Sequence, residues 1–236
     1  MINYMKRNNQ LDFKKFCKVK LYYESALKEL ETKLNIINSE FSALSSVNPI
    51  NHIKTRMKSL PSIIDKLKRK NLKLNIENTF ILGDIVGARI VCNFIDDVYR
   101  VIDKLKTNKD INIIEEKDYI KTPKSSGYRG YHIIISIPIT INGIRKNIKT
   151  EIQIRTCAMD FWASSEHRLN YKKVRLSNSD KEELKKLSND IWEVDQKMNL
   201  MAKKKLDNEK ISYSDTINIS AIKEIVNWRK QNEIFE

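Results

Sequence analysis

Apolar side chains recur every three or four residues along the first part of the chain, which is the spacing of one helix face. Between residues 11 and 45 these positions are Leu27, Leu30, Leu34, Ile37 and Phe41. Asn48-Pro49 ends the pattern, and a second helix is predicted from there to about residue 71. Its buried stripe would consist of Ile53, Met57, Leu60, Ile64 and Leu67. Pro61 interrupts this second stripe, so we expect the helix to kink or restart there.

The middle of the chain contains short apolar runs that predict β-strands. The runs cover residues 88–94, 111–120, 131–139 and 144–155, with a turn or short helix at 80–87 and a helical pattern at 96–106. Asn142-Gly143 separates two of the runs and is a strong signal for a tight hairpin turn. These patterns predict an α+β fold: a mixed sheet of four to five strands flanked by helices.

Helical patterns return in the last third of the chain, at residues 158–172 and then in a long segment that ends near Leu206. The residues Ser179-Asp-Lys-Glu182 predict a capping box that opens this long helix. A last amphipathic segment is predicted at 218–231. We therefore expect a helical arm (1–45), a core (46–175) and a C-terminal helical region (176–236) that mediates oligomerisation, because the arms are more apolar than a small sheet can cover.

The composition is that of a globular protein of 236 residues, with 41% hydrophobic and 31% charged residues. No apolar run approaches the roughly 18 residues of a membrane span, and residues 1–20 lack the apolar segment of a signal peptide. The three cysteines have no metal-binding spacing, so a reducing, cytoplasmic compartment is expected.

The formal net charge of +14 indicates a polyanionic partner such as nucleotides, nucleic acid or a membrane surface. A composition rich in Lys, Asn and Ile raises the number of lysines without any function, and this accounts for part of the charge. Its local concentration is more informative, because residues 52–73 carry eight Lys and Arg against the single acid Asp65.

A polar loop with two glycines, residues 124–132, precedes one predicted strand, and the strand that returns after the hairpin carries Glu151, Gln153 and Arg155. These three side chains share one face of the strand, while Ile152 and Ile154 point to the other. A carboxylate, an amide and a guanidinium in a row on a central strand need water, metal or a ligand as partners. The pattern therefore predicts a functional site.

Two carboxylates at the ends of central strands commonly hold Mg²⁺ against phosphate oxygens, and Asp84 is a candidate partner for Glu151. The alternatives are ordinary structural roles. Asp84 follows Gly83 and could be a turn residue, and Glu151 could form a cross-strand salt bridge with Arg155.

Arg56, Lys58, Ser62 and Lys66 lie on the predicted basic helix, away from its apolar stripe, and could bind a polyphosphate. The alternative is a solvated helix face. Arg89 is harder to explain without a site, because it lies within an apolar strand, where a guanidinium must find an anion or stack on a ring.

Tyr128 and His132 flank the entry from the loop into the strand, and an aromatic ring on such a loop can stack on a base. Gly127 and Gly130 permit close approach of the backbone. The alternative is a hairpin loop with ordinary turn glycines. The sequence contains no phosphate-binding P-loop, no GxGxxG motif and no His-Glu-x-x-His motif.

Taken together, five segments resemble the synthetase domain of the RelA/SpoT family. They are residues 52–59 (HIKTRMKS), 83–91 (GDIVGARIV), 124–132 (KSSGYRGYH), 151–156 (EIQIRT) and 161–167 (FWASSEH). They come in the family's order, between about residues 20 and 205. In length and in its arms the chain is similar to the small alarmone synthetases of the RelQ type.

The resemblance implies a nucleotidyltransferase-like fold and a pyrophosphokinase that transfers the β,γ-diphosphate of ATP to the 3′-hydroxyl of a guanosine nucleotide. Glu151 and Asp84 would be catalytic and bind Mg²⁺, and Glu151 would also take the 3′-hydroxyl proton. The implied ATP-binding residues are Arg56 and Arg89 on the adenine and Lys58, Ser62 and Lys66 on the phosphates. The implied acceptor-binding residues are Lys124, Tyr128, His132 and Gln153.

The resemblance also implies a homotetramer, with an alarmone-binding cleft between its subunits, and synthesis without hydrolysis. Two positions depart from the family pattern. Many family loops have Asn where this chain has Ser126, and an acidic residue where it has Ser125, which affects the expected preference among GMP, GDP and GTP.

Two competing functions remain open from the sequence. A different nucleotidyltransferase would use the same carboxylates and release pyrophosphate instead of AMP. An RNA-binding module would use the positive charge, with Tyr128 and Tyr131 stacking on bases. The substitution Glu151→Gln separates the classes, because it should abolish turnover and spare RNA binding.

Overall fold

The structure is a computed structural model that describes residues 10–45, 47–169 and 176–213, with side chains described between 17 and 205. The helices are α1 (Gln10–Leu44), α2 (Leu60–Arg69), α3 (Ile95–Thr107), α4 (Cys157–Leu169) and α5 (Asn178–Tyr213). The strands are β1 (Ile50–Met57), β2 (Val86–Cys92), β3 (Asn112–Asp118), β4 (Tyr131–Ile141) and β5 (Ile144–Thr156). A short 3₁₀-helix covers Glu77–Ile81.

The five strands form one mixed sheet in the order β1-β2-β5-β4-β3. Only β2 and β5 pair in parallel, and the other three neighbouring pairs are antiparallel. The hairpin between β4 and β5 turns at Asn142 and Gly143, whose φ angles of 48° and 71° are those of a tight two-residue turn. The predicted α+β fold and its mixed sheet flanked by helices are thus confirmed.

The hydrophobic core lies on one face of the sheet. Helix α1 buries its stripe there, with Leu30, Leu34 and Ile37 at most 1% exposed. Helix α3 buries Val98, Val101, Ile102 and Leu105, and the strands contribute Ile90, Ile133 and Ile152. Each such side chain stabilises the fold by about 1.5–3 kcal/mol relative to exposure. This packing fixes the position of the opposite face, which carries the polar side chains.

The helix predicted between Pro49 and residue 71 is wrong in its first half. Residues 50–57 form the edge strand β1, antiparallel to β2, and only the second half is helical. The spacing of four between Ile53 and Met57 fits a helix face and also fits one side of a strand, so it could not distinguish them. Pro61 lies in the first turn of α2, as expected for a helix that restarts there.

The capping box of the long helix lies two residues earlier than predicted. Ser177 Oγ accepts a hydrogen bond from the Asp180 backbone N–H at 3.1 Å, and Asp180 Oδ2 accepts one from the Ser177 backbone N–H at 3.0 Å. Helix α5 therefore starts at Asn178. The predicted helix at 218–231 and the end of the one predicted at 158–172 lie outside the described residues.

The chain divides into one compact unit that ends at Gln196 and another that begins at Lys197, so the division falls within α5. The limits of arm, core and C-terminal region drawn from the sequence stay predictions. Among the described helices, none is long and apolar enough to cross a membrane.

Candidate active site

The polar face of the sheet has a gap in its side-chain cover at Gly87. Register places Gly87 between Arg56 on β1 and Glu151 on β5. A Cβ atom at Gly87 would lie 3.1 Å from the Glu151 carbonyl oxygen, so the glycine lets the neighbouring strand approach closely. The next row along the sheet brings Arg89 opposite Gln153 and Gln153 opposite His132.

A cleft of about 230 Å³ opens over this gap. Its lining residues come from β1, the entry to β2, β2 itself and β5: Lys54, Thr55, Arg56, Asp84, Gly87, Ala88, Arg89, Glu151 and Gln153. Five of the residues predicted as site residues therefore line one cleft. The prediction that placed Arg56 and Lys58 on a basic helix was wrong, because Arg56 projects from the edge strand β1 and Lys58 lies between β1 and α2.

Asp84 gathers two of the predicted phosphate-binding lysines at one end of the cleft. Its Oδ2 atom lies 2.7 Å from Lys58 Nζ and 2.6 Å from Lys66 Nζ. Burial alone would raise the pKa of Asp84, but the two lysines lower it below its ordinary value. The Oδ1 atom is buried and has no hydrogen-bond partner. Asp84 is thus a carboxylate with one oxygen neutralised and the other free for a ligand.

Ser62 lies in the first turns of α2, where its hydroxyl is 2.9 Å from that of Ser59. It does not line the cleft as the lysines' partner Asp84 does. Lys58 and Lys66 do not line the cleft either, but both contact its lining residue Asp84, and Ser62 lies on the same helix as Lys66.

Glu151 is held by two hydrogen bonds, one from the neighbouring strand β4 and one from its own strand β5. Its Oε1 atom is 3.0 Å from His132 Nδ1, and its Oε2 atom accepts from Gln153 Nε2 at 2.7 Å. Burial raises the pKa of Glu151, and nearby Asp84 adds to this effect. The bonds from His132 and Gln153 outweigh both, so the pKa is lowered and the carboxylate is ionised at neutral pH. The predicted alternative, a salt bridge to Arg155, is absent among the described ion pairs.

Arg155, only 5% exposed, starts two chains of hydrogen bonds that both end on Glu151. One runs from Arg155 Nη2 to Gln153 Oε1 (2.7 Å) and on to Glu151. The other runs from Arg155 Nε and Nη2 to the Tyr128 hydroxyl (3.1 and 2.8 Å), then to His132 Nε2 (2.6 Å) and Glu151.

The ends of these chains decide the direction of every bond between them. A guanidinium can only donate and an ionised carboxylate can only accept. The Tyr128 oxygen accepts from Arg155 and so donates its proton to Nε2 of His132. Nε2 of His132 therefore accepts, and Nδ1 donates a hydrogen bond to Glu151.

The loop residues predicted to bind the acceptor surround a small aromatic cluster. Lys124 Nζ lies 4.5 Å from the ring centre of Tyr119 and 4.8 Å from that of Tyr128. The two tyrosine rings and the His132 ring meet edge to face. Burial lowers the pKa of Lys124 and raises that of Tyr128. Tyr119 was not predicted as a site residue, although it stands in the apolar run that precedes the loop.

Helix α5 anchors this loop from outside the sheet. Ser188 Oγ donates to the Gly127 carbonyl oxygen at 2.5 Å, and the Arg129 guanidinium lies 4.5 Å from the ring centre of Trp192. Gly127 has a φ of +91°, and a Cβ atom there would lie 2.9 Å from Ser188 Cβ. The glycine is therefore required both by the backbone and by the contact with α5.

The sequence missed Asp160, which lies in the first turn of α4. Its Oδ1 atom accepts from Arg89 Nη1 at 3.0 Å and from Arg155 Nη1 at 3.1 Å. The apolar surroundings of Arg89 already indicated that an anion must lie nearby. They could not indicate which one, because Asp160 is distant in sequence.

The residues that could hold a metal ion are Asp84 and Glu151, which line the same cleft. Within the described part of the chain, no group of three or more His, Cys, Asp and Glu side chains could form a metal site by itself. The unpartnered Asp84 Oδ1 suits a hard cation that takes its other ligands from water and phosphate oxygens, as Mg²⁺ does.

Both the sequence and the fold of this chain are similar to those of known proteins. Residues 55–175 match a family model described as a region found in RelA / SpoT proteins. The GTP pyrophosphokinase YwaC of Bacillus subtilis is 47% identical over 153 residues, which are 64% of this chain and 73% of that protein.

Two solved structures of the small alarmone synthetase 1 from Bacillus subtilis have the same architecture. The structure bound to its product pppGpp has a TM-score of 0.74 and 34% identity, over 81% of this chain and 98% of that one. The structure bound to AMPCPP has a TM-score of 0.68 and 30% identity, over 81% and 97%. The chain is thus similar to small alarmone synthetases in sequence, in fold and over nearly their whole length, and it belongs to the RelA/SpoT family.

Proposed function

We propose that this chain synthesises (p)ppGpp-type alarmones by transferring the β,γ-diphosphate of ATP to the 3′-hydroxyl of GMP, GDP or GTP, with release of AMP. The observation that carries the proposal is the single cleft that joins the Lys58–Asp84–Lys66 cluster to the hydrogen-bonded Glu151. The identity to a named GTP pyrophosphokinase and the likeness to a synthetase bound to pppGpp support it.

The donor nucleotide is assigned to the side of the cleft formed by β1, α2 and β2. Arg56 and Arg89 carry planar guanidinium groups on neighbouring strands, and such groups stack on the faces of a purine. Lys58 and Lys66 present ammonium groups to the phosphates, with Ser62 beside them on α2. A bound polyphosphate would compete with Asp84 for the lysines and release its second oxygen.

The acceptor nucleotide is assigned to the side formed by the 124–132 loop, β4 and β5. The Tyr128 ring already attracts a lysine and an arginine to within 5 Å of its centre, so its face is an electron-rich platform for a base. Lys124 lies over this ring, and His132 and Gln153 form hydrogen bonds with Glu151.

The chemistry needs charge neutralisation and alignment more than covalent participation. The acceptor 3′-oxygen attacks the β-phosphorus of ATP, the bond from that phosphorus to the bridging oxygen of AMP breaks, and Glu151 takes the proton of the 3′-hydroxyl. An ionised Glu151 is in the right state to accept this proton. Mg²⁺ held by Asp84 and Glu151 would neutralise charge on the transferred group.

We also propose a cytoplasmic homotetramer with an alarmone-binding cleft between subunits. Apolar side chains that are exposed on α4 and α5, namely Phe161, Leu187 and Val194, support an assembly that covers them. Native mass spectrometry with and without added alarmone tests both the number of subunits and the effector, and a monomer at micromolar concentration would contradict the proposal.

The test of the activity is a product assay with Mg²⁺, ATP and each of GMP, GDP and GTP, resolved by anion exchange with mass detection. We expect AMP together with a guanosine species heavier by a diphosphate, and the relative rates identify the preferred acceptor. Release of pyrophosphate without that species would instead support another nucleotidyltransferase. RNA binding that persists in Glu151→Gln, with no turnover in folded wild-type protein, would support an RNA-binding module.

A further inference from the structure

A single carboxylate oxygen stands between two arginines that serve different parts of the site. Asp160 Oδ1 accepts from Arg89 at 3.0 Å and from Arg155 at 3.1 Å. The two guanidinium groups repel each other, and together with burial this repulsion lowers the pKa of Arg89. Asp160 therefore holds together two positive groups that would otherwise move apart.

The two arginines lead in different directions from Asp160. Arg89 lines the cleft on the side assigned to ATP. Arg155 lies outside the cleft lining and donates to the Tyr128 hydroxyl and to Gln153 on the side assigned to the acceptor. Asp160 thus completes a continuous chain of polar contacts that runs from Arg89 in the ATP region through Arg155 to Tyr128 in the acceptor region.

Arginine geometry makes this chain stiff. The guanidinium of Arg155 is planar, and its three nitrogen atoms contact Asp160, Tyr128 and Gln153 in fixed directions. A shift of the Asp160 carboxylate would therefore tilt Arg155 and move the Tyr128 hydroxyl. Arg155 is almost fully buried, so water cannot replace a lost partner readily.

We propose that Asp160 is a positioning residue that couples the binding of ATP to the binding of the guanosine nucleotide. This inference rests on the proposed function, because it takes Arg89 as part of the donor site and Tyr128 as part of the acceptor site. Stacking of adenine on Arg89 fixes the position of its guanidinium and, through the contacts of Asp160, the positions of Arg155 and of the Tyr128 hydroxyl. Because Tyr128 is then already in place, the acceptor nucleotide binds more tightly.

The experiment measures the dissociation constant of GDP by calorimetry, in Mg²⁺, with and without a saturating ATP analogue whose α,β-bridge is a methylene group. For the wild-type protein we expect the analogue to tighten GDP binding by about five-fold or more. In Asp160→Asn the amide keeps the size of the side chain and loses the charge, and we expect the ratio to fall to within about two-fold of unity. Asp190→Asn, an exposed position on α5, is the matched control and should keep the wild-type ratio.

Turnover gives a second readout that a merely structural role would not produce. Because Asp160 does not reach the cleft, kcat of Asp160→Asn at saturation with both substrates should stay within about three-fold of wild type, while both KM values rise. If Asp160→Asn does not fold, Tyr128→Phe interrupts the same chain at its other end. It keeps the ring and should also reduce the coupling ratio.

The outcomes separate this inference from the proposed function. Binding of both nucleotides to wild type with no coupling, or coupling that persists in Asp160→Asn or Tyr128→Phe, would overturn the role of Asp160 and leave the activity intact. Failure of folded wild-type protein to bind either nucleotide would overturn the proposed function itself.

Discussion

Replacing Glu151 by glutamine tests the directed hydrogen-bond chains around the catalytic carboxylate. The new side chain has the same shape, and its oxygen can still accept a hydrogen bond from His132. Its NH₂ group, however, then takes the place of Glu151 Oε2 and faces the NH₂ group of Gln153, so that two donors meet. Gln153 cannot turn around without placing its own N–H against Arg155, which donates to its oxygen at 2.7 Å.

The opposite orientation of the new amide also fails. Its N–H group would require His132 to accept at Nδ1 and therefore to donate from Nε2 to the Tyr128 oxygen. That oxygen already accepts twice from Arg155. Each orientation thus leaves one buried donor against another donor, and a buried unsatisfied polar group costs about 1–3 kcal/mol. We expect Glu151→Gln to lower the free energy of unfolding by that amount at pH 7.

The comparison should depend on pH in a defined direction. The folded protein lowers the pKa of Glu151 below its ordinary value of 4.5. Its ionised form therefore adds stability above that value, and this contribution is lost as the pH falls through the lowered pKa. The difference in stability between wild type and Glu151→Gln should accordingly shrink as the pH falls below 4.5.

Denaturant unfolding followed by circular dichroism measures both effects, and steady-state kinetics of the same samples should show a fall in kcat of about 10²–10⁴-fold. Glu193→Gln, at an exposed position of α5, is the matched control and should change neither property. A Glu151→Gln protein as stable as wild type, or more stable, would refute the assignment of donors and acceptors around Arg155.

Three further substitutions test the loop and the core. Tyr128→Ala should raise the acceptor KM by about ten-fold or more, because a stacking contact with the base is lost. Calorimetry without acceptor should show unchanged ATP binding. Equal losses of affinity for both nucleotides would show that Tyr128 is not part of the guanine site. Gly127→Ala should destabilise the protein by at least about 1–2 kcal/mol and raise the acceptor KM, because its φ is +91° and the added methyl meets Ser188. Gly143→Ala, with a φ of +71° and no atom within 4 Å, is its control and should show the backbone strain without the kinetic effect. Leu34→Ala should lower the unfolding free energy by about 2–5 kcal/mol and leave KM unchanged, since the side chain is 1% exposed on the face opposite the cleft.

The sequence predicts the fold correctly wherever a local pattern fits only one kind of secondary structure. The stripe of α1 has a period that only a helix satisfies, and the Asn142-Gly143 turn fixes the β4–β5 hairpin. Strand β1 was not predictable, because Ile53 and Met57 satisfy both periods and most of its other residues are polar. An edge strand that buries little apolar surface carries only a weak hydrophobic signal.

The candidate site was predictable where a residue type is costly without a partner. The carboxylate of Glu151 and the guanidinium of Arg89 on interior strands required polar partners, and both have them. The identity of the partners depends on contacts between residues far apart in sequence. Asp160 and Ser188 reach the site through helix packing, and no local pattern encodes that packing.

The position of β1 at the edge of the sheet has a consequence for local opening of the protein. The strand that bears Arg56 is joined to the sheet through β2 alone, so its amide hydrogens should exchange with solvent through small fluctuations that leave the central strands closed. A nucleotide held between Arg56 and Arg89 would tie this strand to its neighbour from the cleft side. Slower hydrogen exchange along residues 50–57 on addition of ATP would then report occupancy of the donor site directly, before any product is formed.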